Sequence, residues 1–154
     1  MQRGDAGRIA AFVTGLDRDT LHLRFGRFMS AAAIHAHYAG LDWNRAVLLT
    51  WNVGSEIGGV VEVHLYPTPV AARPNSIEAE IALVVAQGSR GRGIDRLLLA
   101  SGIAAAARHG AVRSTMLIPA RDHALAPMAR RLGFMTDAAG DRVVFAHRAD
   151  IAGP

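Results

Sequence analysis

A glycine-rich turn carries the clearest chemical signal in the sequence. The run Gly88–Gly93, with glycine at its first, fourth and sixth positions, lies between a Val-rich segment and a long apolar one. Unpaired N–H groups at a helix start and the helix dipole favour an anion, and glycine lets a phosphate approach the backbone closely. Arg90, Arg92 and Arg96 add charge-assisted donors around the same turn. The sequence therefore predicts an anion site whose spacing is neither GxGxxG nor, without a lysine, a P-loop.

Two carboxylates lie just before this turn. Glu78 and Glu80 are two residues apart in the predicted strand Ile77–Val85, so they share one face of it. A carboxylate on a half-buried strand can accept a proton, directly or through a water molecule. Glu80 and Glu78 are therefore rival candidates for a general base. For both, the alternative is an ordinary solvated strand face.

The composition excludes several other chemistries. The sequence contains 17 basic residues, all of them arginine, and no cysteine. A Schiff-base lysine, a thiol nucleophile, a disulfide and a thiolate metal site are therefore excluded. His35 and His37 are two residues apart on a predicted helix and face different ways, and no HExxH spacing occurs. We expect no metal site.

The net charge of +4 and the sequence pI near 10.9 raise the question of a polyanionic partner. The basic residues are scattered among aspartates, whereas a nucleic-acid surface is a clustered basic stripe. No apolar stretch approaches the roughly 18 residues of a membrane span, and no secretory signal is visible. We expect a cytoplasmic protein that binds neither nucleic acid nor a membrane.

Hydrophobic periodicity and capping residues then predict the elements that position the turn and the carboxylates. The predicted helices are Asp5–Leu16, a short turn capped at Asp19–Thr20, Ala31–Ala39 capped by Ser30, Ile94–His109 and Asp122–Leu132. The predicted strands are Ala46–Val53, Ile57–Tyr66, Ile77–Val85, Val112–Ile118 and Arg142–His147. For 154 residues of which 51% are apolar, this order predicts a single domain spanning residues 1–154, of α/β (α+β) class, with a mixed sheet flanked by helices.

Two motifs at a fixed separation resemble a known family. Arg90–Ile94 after its Val-rich strand is similar to the acyl-CoA signature of the GNAT N-acetyltransferase superfamily, and Ala129–Phe134 is similar to that family's closing helix and Leu-Gly-Phe sequence. The resemblance covers roughly residues 5 to 148. Leu23–Arg27 and Ala79–Val85 also resemble the catalytic domain of bacterial protein lysine acetyltransferases. The resemblance implies a largely antiparallel central sheet, acetyl-CoA as acyl donor, and a primary amine, on a protein lysine or a small molecule, as acceptor.

The resemblance also implies roles for individual residues. Glu80 would deprotonate the acceptor amine, which then attacks the thioester directly, since no cysteine is present to carry the acetyl group. Backbone amides of the glycine-rich turn would hold the pyrophosphate, and the end of the preceding strand would hold the pantetheine. The implied cofactor-binding residues are Leu83, Val84, Val85, Arg90, Gly91, Arg92, Gly93, Ile94, Asp95, Arg96 and Asp122.

Three positions depart from the family pattern. Asp95 replaces a small residue beside the phosphate turn, Asp122 stands where the family often has Asn, and Ala129 stands where a tyrosine often protonates the leaving thiolate. No general acid is therefore assigned. Asp95 and Ala129, together with the missing first strand described below, motivate the alternative function, a non-catalytic sensor or regulatory domain that binds acyl-CoA.

The beginning of the chain is a further departure. Similar folds start with a strand before the first helix, whereas this sequence starts with a predicted helix. Either that strand is missing, or a second copy of the chain completes the sheet edge, since an uncovered edge favours pairing. A homodimer is therefore one expectation.

Overall fold

Three short helices precede the first strand in the computed structural model, which describes residues 1–68, 76–119, 125–139 and 142–148. They are α1 (Ala6–Thr14), α2 (Arg18–Phe25) and α3 (Ala31–Ala39), after a 3-10 turn at Arg3–Asp5. The predicted Ser30 cap of α3 is confirmed, since its side chain accepts from the amide of Ala33. The predicted cap at Asp19 is wrong by two residues. Asp17 has the extended backbone that a cap needs, and its carboxylate accepts from the amide of Thr20.

A six-stranded mixed sheet forms the centre of the fold. Its strands are β1 (Ala46–Val53), β2 (Glu56–Pro67), β3 (Ile77–Val85), β4 (Ala111–Pro119), β5 (Met135–Ala139) and β6 (Arg142–Arg148). They lie in the order β1-β2-β3-β4-β6-β5, and every neighbouring pair is antiparallel except β3 and β4. The predicted fold class is confirmed. The sequence did not predict β5. Residues 1–5, which the structure describes before α1, form no strand.

Two further helices follow β3 and β4. Helix α4 (Ile94–Arg108) makes the crossover between the two parallel strands, as such a connection requires, and α5 (Leu125–Arg131) follows β4. Among the helices that the structure describes, none is long and apolar enough to cross a membrane.

Helix α4 packs against one face of the sheet, where Val61, Ile81 and Met116 belong to the main apolar core. The helix presents Leu98, Leu99, Ala105 and Ala106 to that core. Leu97 of the same helix is 48% exposed. Gly102 lies four residues after Leu98 and three after Leu99, so these positions share the helix face that packs against the strands. Leu97 lies outside that face.

A second apolar core lies between the opposite face of the sheet and the N-terminal helices. It is built from Ile9 and Val13 of α1, Ile34 and Tyr38 of α3, and Leu48 of β1, all of which are almost fully buried. The sheet is thus covered on both faces, which is the arrangement expected for a parallel pair at its centre.

The two parallel strands separate partway along their length. β3 pairs with β4 from Ile77–Ala111 to Glu80–Thr115, and the pairing ends there although β3 continues to Val85 and β4 to Pro119. The backbone edge of β3 that faces β4 is therefore unpaired beyond Glu80. This separation, called here the strand fork, creates the candidate site.

The space around Gly102 shows how closely α4 approaches the sheet. A Cβ at this position would lie 2.8 Å from Cγ2 of Val61 and 3.3 Å from Cγ2 of Ile81. Val61 is fully buried and β-branched, so it cannot rotate away. Overpacking costs about 1–3 kcal/mol, which outweighs the gain of about 1 kcal/mol in helix propensity. We expect Gly102→Ala to lower the free energy of unfolding in urea by about 1 kcal/mol.

Gly7→Ala is the matched control for this substitution. Gly7 is an exposed residue of α1, and a Cβ there would meet nothing within 4 Å. This variant should therefore gain stability, by up to about 1 kcal/mol. An equal gain in both variants would contradict the close packing of α4.

Candidate functional site

A cavity of about 220 Å³ occupies the strand fork. Leu83, Val84 and Val85, the strand residues expected to bind pantetheine, lie along its β3 wall. The other lining residues are Ile81 and Ala82 of β3, Thr20, Leu23 and Arg24 of α2, Arg90 of the glycine-rich turn, Asp95 of α4, Met116 and Leu117 of β4, and Leu125 of α5. This fork cavity joins the open edge of β3 to the glycine-rich turn.

The turn presents a run of free backbone amides. Gly91 and Gly93 have φ angles of 72° and 74°, a left-handed conformation that glycine adopts without strain. The amides of residues 91–95 donate no hydrogen bond to any other residue in the described part of the chain, whereas the amide of Arg90 donates to Gln87. The run available to an anion is therefore Gly91–Asp95, shifted by one residue from the predicted Arg90–Ile94.

The three arginines of the turn differ in what they contact. The guanidinium of Arg90 donates to the carbonyl of Val85 (3.1 Å) and to the hydroxyl of Thr20, and it lies 3.8 Å from the carboxylate of Asp17. It ties the turn to the start of α2. Arg92 and Arg96 are exposed, and their side chains form no hydrogen bond or ion pair with other described residues. They leave two cations free at the turn.

Asp95 lies on the wall of the fork cavity. Its carboxylate accepts from the backbone amide of Arg96 (2.9 Å), the donor just after the free run. The same helix end that attracts an anion therefore already has one carboxylate beside it. A bound pyrophosphate would experience repulsion from Asp95 and attraction from the free amides and arginines.

The two candidate carboxylates of β3 have different surroundings. Glu80 lies at the last pair of the β3–β4 ladder and lines a second cavity of about 160 Å³, called here the Glu80 cavity. Glu78 lines neither cavity and forms an ion pair with Arg113 at 3.9 Å. Tyr66 lies across from Glu78 on β2, and its pKa is raised by burial and by the charge of Glu80. The geometry therefore distinguishes Glu80 from its rival.

The fork cavity and the Glu80 cavity adjoin each other. The residues that line both are Leu23, Arg24, Ile81, Ala82 and Leu117. The glycine-rich turn and Glu80 therefore lie beside two neighbouring cavities that share a wall.

A buried charged cluster borders this junction and was not predicted. Simple alternation along β2 would put Glu62 with His64 on a polar face, but Glu62 is fully buried. Its carboxylate lies 2.9 Å from Nη2 of Arg24 and accepts from the hydroxyl of Tyr38 at 2.7 Å; Nε2 of His64 lies 3.2 Å away. Nε2 of His37 is 3.9 Å away, too far for a hydrogen bond. The only sequence signal was the position of Glu62 among valines in a central strand.

The ionisation of this cluster is set by its charge pair. Burial alone would raise the pKa of Glu62, but Arg24 and the hydrogen bonds from His64 and Tyr38 hold it well below its usual value. Burial alone would lower the pKa of Arg24, but Glu62 and, less strongly, Glu80 raise it. Burial and the neighbouring carboxylate raise the pKa of Tyr38. The cluster is therefore an ion pair with a neutral tyrosine.

Two other predicted positions have different outcomes. Asp122 lies outside the described residues. Ala129 is fully buried in α5, and the amide of Phe134 donates to its carbonyl as the chain turns through Gly133. In the described ranges, no three histidine, aspartate or glutamate side chains gather as a metal site would require.

Comparison with known sequences identifies a family. The sequence profile of the acetyltransferase (GNAT) family matches residues 7–134. No curated protein matches the sequence significantly.

Comparison with solved structures gives the same fold. The GNAT domain of PAT from S. lividans superposes with a TM-score of 0.79 and 20% identity, covering 97% of this chain and 88% of that one. The putative acetyltransferase yncA from Salmonella typhimurium, with its cofactor acetyl-CoA, has a TM-score of 0.71 and 17% identity, covering 100% and 94%. The PaiA N-acetyltransferase of Thermoplasma acidophilum, in complex with coenzyme A, has a TM-score of 0.68 and 11% identity, covering 97% and 96%.

The buried pair predicts how stability depends on pH. The pKa of Glu62 is lowered in the folded state, so its contribution is present above the unfolded value near 4.5 and is lost as pH falls through the folded value. Glu62→Gln leaves the buried cation of Arg24 unpaired and should cost about 3 kcal/mol at pH 7. The difference between the variant and the wild type should shrink below about pH 4. Urea unfolding of both proteins at pH 7 and at pH 3 measures this difference in stability.

Glu56→Gln is the control, because Glu56 is exposed and has no side-chain partner among the described residues. It should change stability by less than about 0.5 kcal/mol at either pH. A Glu62→Gln penalty that is the same at pH 7 and at pH 3 would show that the carboxylate is not ionised in the fold.

Proposed function

Because the chain belongs to the GNAT acetyltransferase family, we propose that it transfers the acetyl group of acetyl-CoA to the nitrogen of a primary amine. The observation that carries this proposal is the placement of the free amides of residues 91–95, the open edge of β3 and the carboxylate of Glu80 around two adjoining cavities. This arrangement offers an anion site at one end and a proton acceptor at the other.

The donor would lie in the fork cavity. The free amides at the start of α4 suit a pyrophosphate, because they add N–H donors to the positive end of the helix dipole. Arg92 and Arg96 add exposed positive charge around it. The unpaired edge of β3 over Leu83–Val85 suits the amide groups of pantetheine, which can hydrogen-bond to it like a further strand. The thioester would then lie near Ile81 and Ala82.

The acceptor would enter beside Glu80. An ammonium ion is not a nucleophile, so it must first lose a proton, and the Glu80 carboxylate accepts it directly or through a water molecule. The nitrogen lone pair then forms the new C–N bond, the C–S bond breaks, and its electron pair leaves on sulfur. The nitrogen releases its second proton, one proton reaches the thiolate, and one passes to solvent.

Protonation of the leaving thiolate is assigned to water in this proposal. Ala129, at the position where the family often has a tyrosine, carries no proton donor and is buried in α5. A thiol pKa near 8.5 makes the thiolate a fair leaving group, so water suffices. The resemblance of Leu23–Arg27 and Ala79–Val85 to bacterial protein lysine acetyltransferases supports a protein lysine as acceptor, and a small-molecule amine is the other candidate.

Asp95 provides the test of donor binding. Acetyl-CoA and CoA should each raise the Tm of the protein in a concentration-dependent way. Asp95→Asn removes a negative charge beside the free amides and should tighten CoA binding by about threefold at low salt, with a smaller gain at high salt. Thermal unfolding measures the change in Tm, and calorimetric titration at low and at high salt measures the change in Kd.

Asp42→Asn is the matched control, because Asp42 is exposed and lines neither cavity. It should leave the Kd unchanged. If neither acetyl-CoA nor CoA stabilises the wild type, the proposed function fails. Weaker binding by Asp95→Asn would show that the carboxylate supports the turn rather than repelling the ligand.

Glu80→Gln tests the base. It should lower kcat/KM by about 10²- to 10⁴-fold while CoA affinity is retained, because the amide cannot accept the proton. Glu78→Gln, the same change two residues away, should stay within about threefold of wild type, because Glu78 lines neither cavity. CoA release with lysine peptides, polyamines and simple alkylamines measures turnover. A larger loss in Glu78→Gln would reverse the assignment.

The rival function is a sensor that binds acyl-CoA without transferring the acyl group, and Asp95 and Ala129 are the residues that favour it. Tight binding with no CoA release across the whole amine panel would support the sensor. Turnover that depends on Glu80 would exclude it.

A further inference from the structure

Arg24 lies at the junction of the fork cavity and the Glu80 cavity. Among the five residues that line both, it has the only charged side chain. If the proposed function holds, the thioester and the amine meet at this junction. We propose that the guanidinium of Arg24 stabilises the negative charge that develops on the thioester carbonyl oxygen, and that Glu62 is the residue that positions it.

The guanidinium of Arg24 is held by a buried carboxylate. Its Nη2 lies 2.9 Å from the carboxylate of Glu62, which is fully buried and is itself fixed by the hydroxyl of Tyr38 and by His64. The side chain of Arg24 is only 12% exposed. A cation fixed in this way needs no reorganisation as charge develops, which is the condition under which electrostatic stabilisation is largest.

The guanidinium also retains unused donor capacity. Nη2 contacts Glu62, and Nε is buried with no partner among the described residues. Arginine–carboxylate pairs frequently use two parallel N–H donors on one carboxylate. Here one charge-assisted contact anchors the group, and its remaining N–H donors are left for another acceptor.

The movement of charge during the reaction suits this position. As the C–N bond forms, the π electron pair of the thioester carbonyl moves onto oxygen. Over the same step Glu80, which attracts Arg24 electrostatically, accepts a proton and becomes neutral. The guanidinium therefore exchanges one anionic neighbour for another. When the oxyanion collapses, the electron pair passes to sulfur and the C–S bond breaks.

The carbonyl stretch of bound acetyl-CoA tests the proposal whatever the acceptor is. Acetyl-CoA labelled with ¹³C at the thioester carbonyl should absorb at lower frequency when bound to the wild type than in water, because a nearby cation polarises the bond. In Arg24→Gln this shift should be lost while the Kd stays within about threefold. Arg27→Gln, the same change at an exposed arginine of the same segment, should keep the wild-type frequency.

Turnover gives a second readout. With any amine that the wild type acetylates, Arg24→Gln should lower kcat by about 10²-fold with little change in either KM, as for loss of one oxyanion donor. In Arg24→Ala, added guanidinium ion should restore part of the lost kcat, whereas a purely structural role would show only a lower Tm.

The double variant Arg24→Met/Glu62→Leu keeps the test valid if Arg24→Gln does not fold. Replacing both members of a buried ion pair with apolar residues is often neutral for stability, and this variant should also lose the carbonyl shift. An unchanged carbonyl frequency in a folded variant lacking Arg24 would overturn the inference and leave the proposed function intact. Failure of the wild type to bind acetyl-CoA would overturn both.

Discussion

The separation of β3 from β4 after four residue pairs is the constraint on which the candidate site depends. The two strands are parallel, so they open toward their carboxyl ends, and β3 leads at that same end into the glycine-rich turn and α4. The exposed edge of β3, the free amides of residues 91–95 and the fork cavity therefore lie on one path. Glu80, at the last pair, lies where the separation begins. A ladder that continued to Val85 would remove all of these features together.

The Glu62–Arg24 pair links the N-terminal helices to the sheet beside this opening. Its value for stability alone is doubtful, since a buried ion pair has a large desolvation cost and apolar replacements are often as stable. The surrounding face is already apolar, with Leu48 and Val60 almost fully buried on neighbouring strand positions. A leucine at position 62 would suit that face. A cation needed at the cavity junction gives the charged pair a physical reason that stability alone does not supply.

Local signals in the sequence were enough for much of the architecture. The Ser30 cap, the strand Ile77–Val85 and the glycine-rich turn were predicted closely, because their signals lie within a few residues. The errors concerned features that depend on contacts between residues far apart in the sequence. β5 has a weak strand sequence and exists by pairing with β6. The burial of Glu62 depends on partners 24 and 38 positions earlier in the sequence, Tyr38 and Arg24, which alternation along β2 cannot reveal.

The chemistry proposed for Arg24 also explains why a lysine would not suit this position. A lysine amine at the same junction would lie beside both the Glu80 carboxylate and the proposed thioester. It could then lose its proton and be acylated itself, in competition with the acceptor. A guanidinium remains protonated even where burial disfavours charge, and in that state it has no nucleophilic lone pair. The junction therefore requires a cation that stays charged and cannot react, and among the protein side chains arginine alone satisfies both conditions at neutral pH.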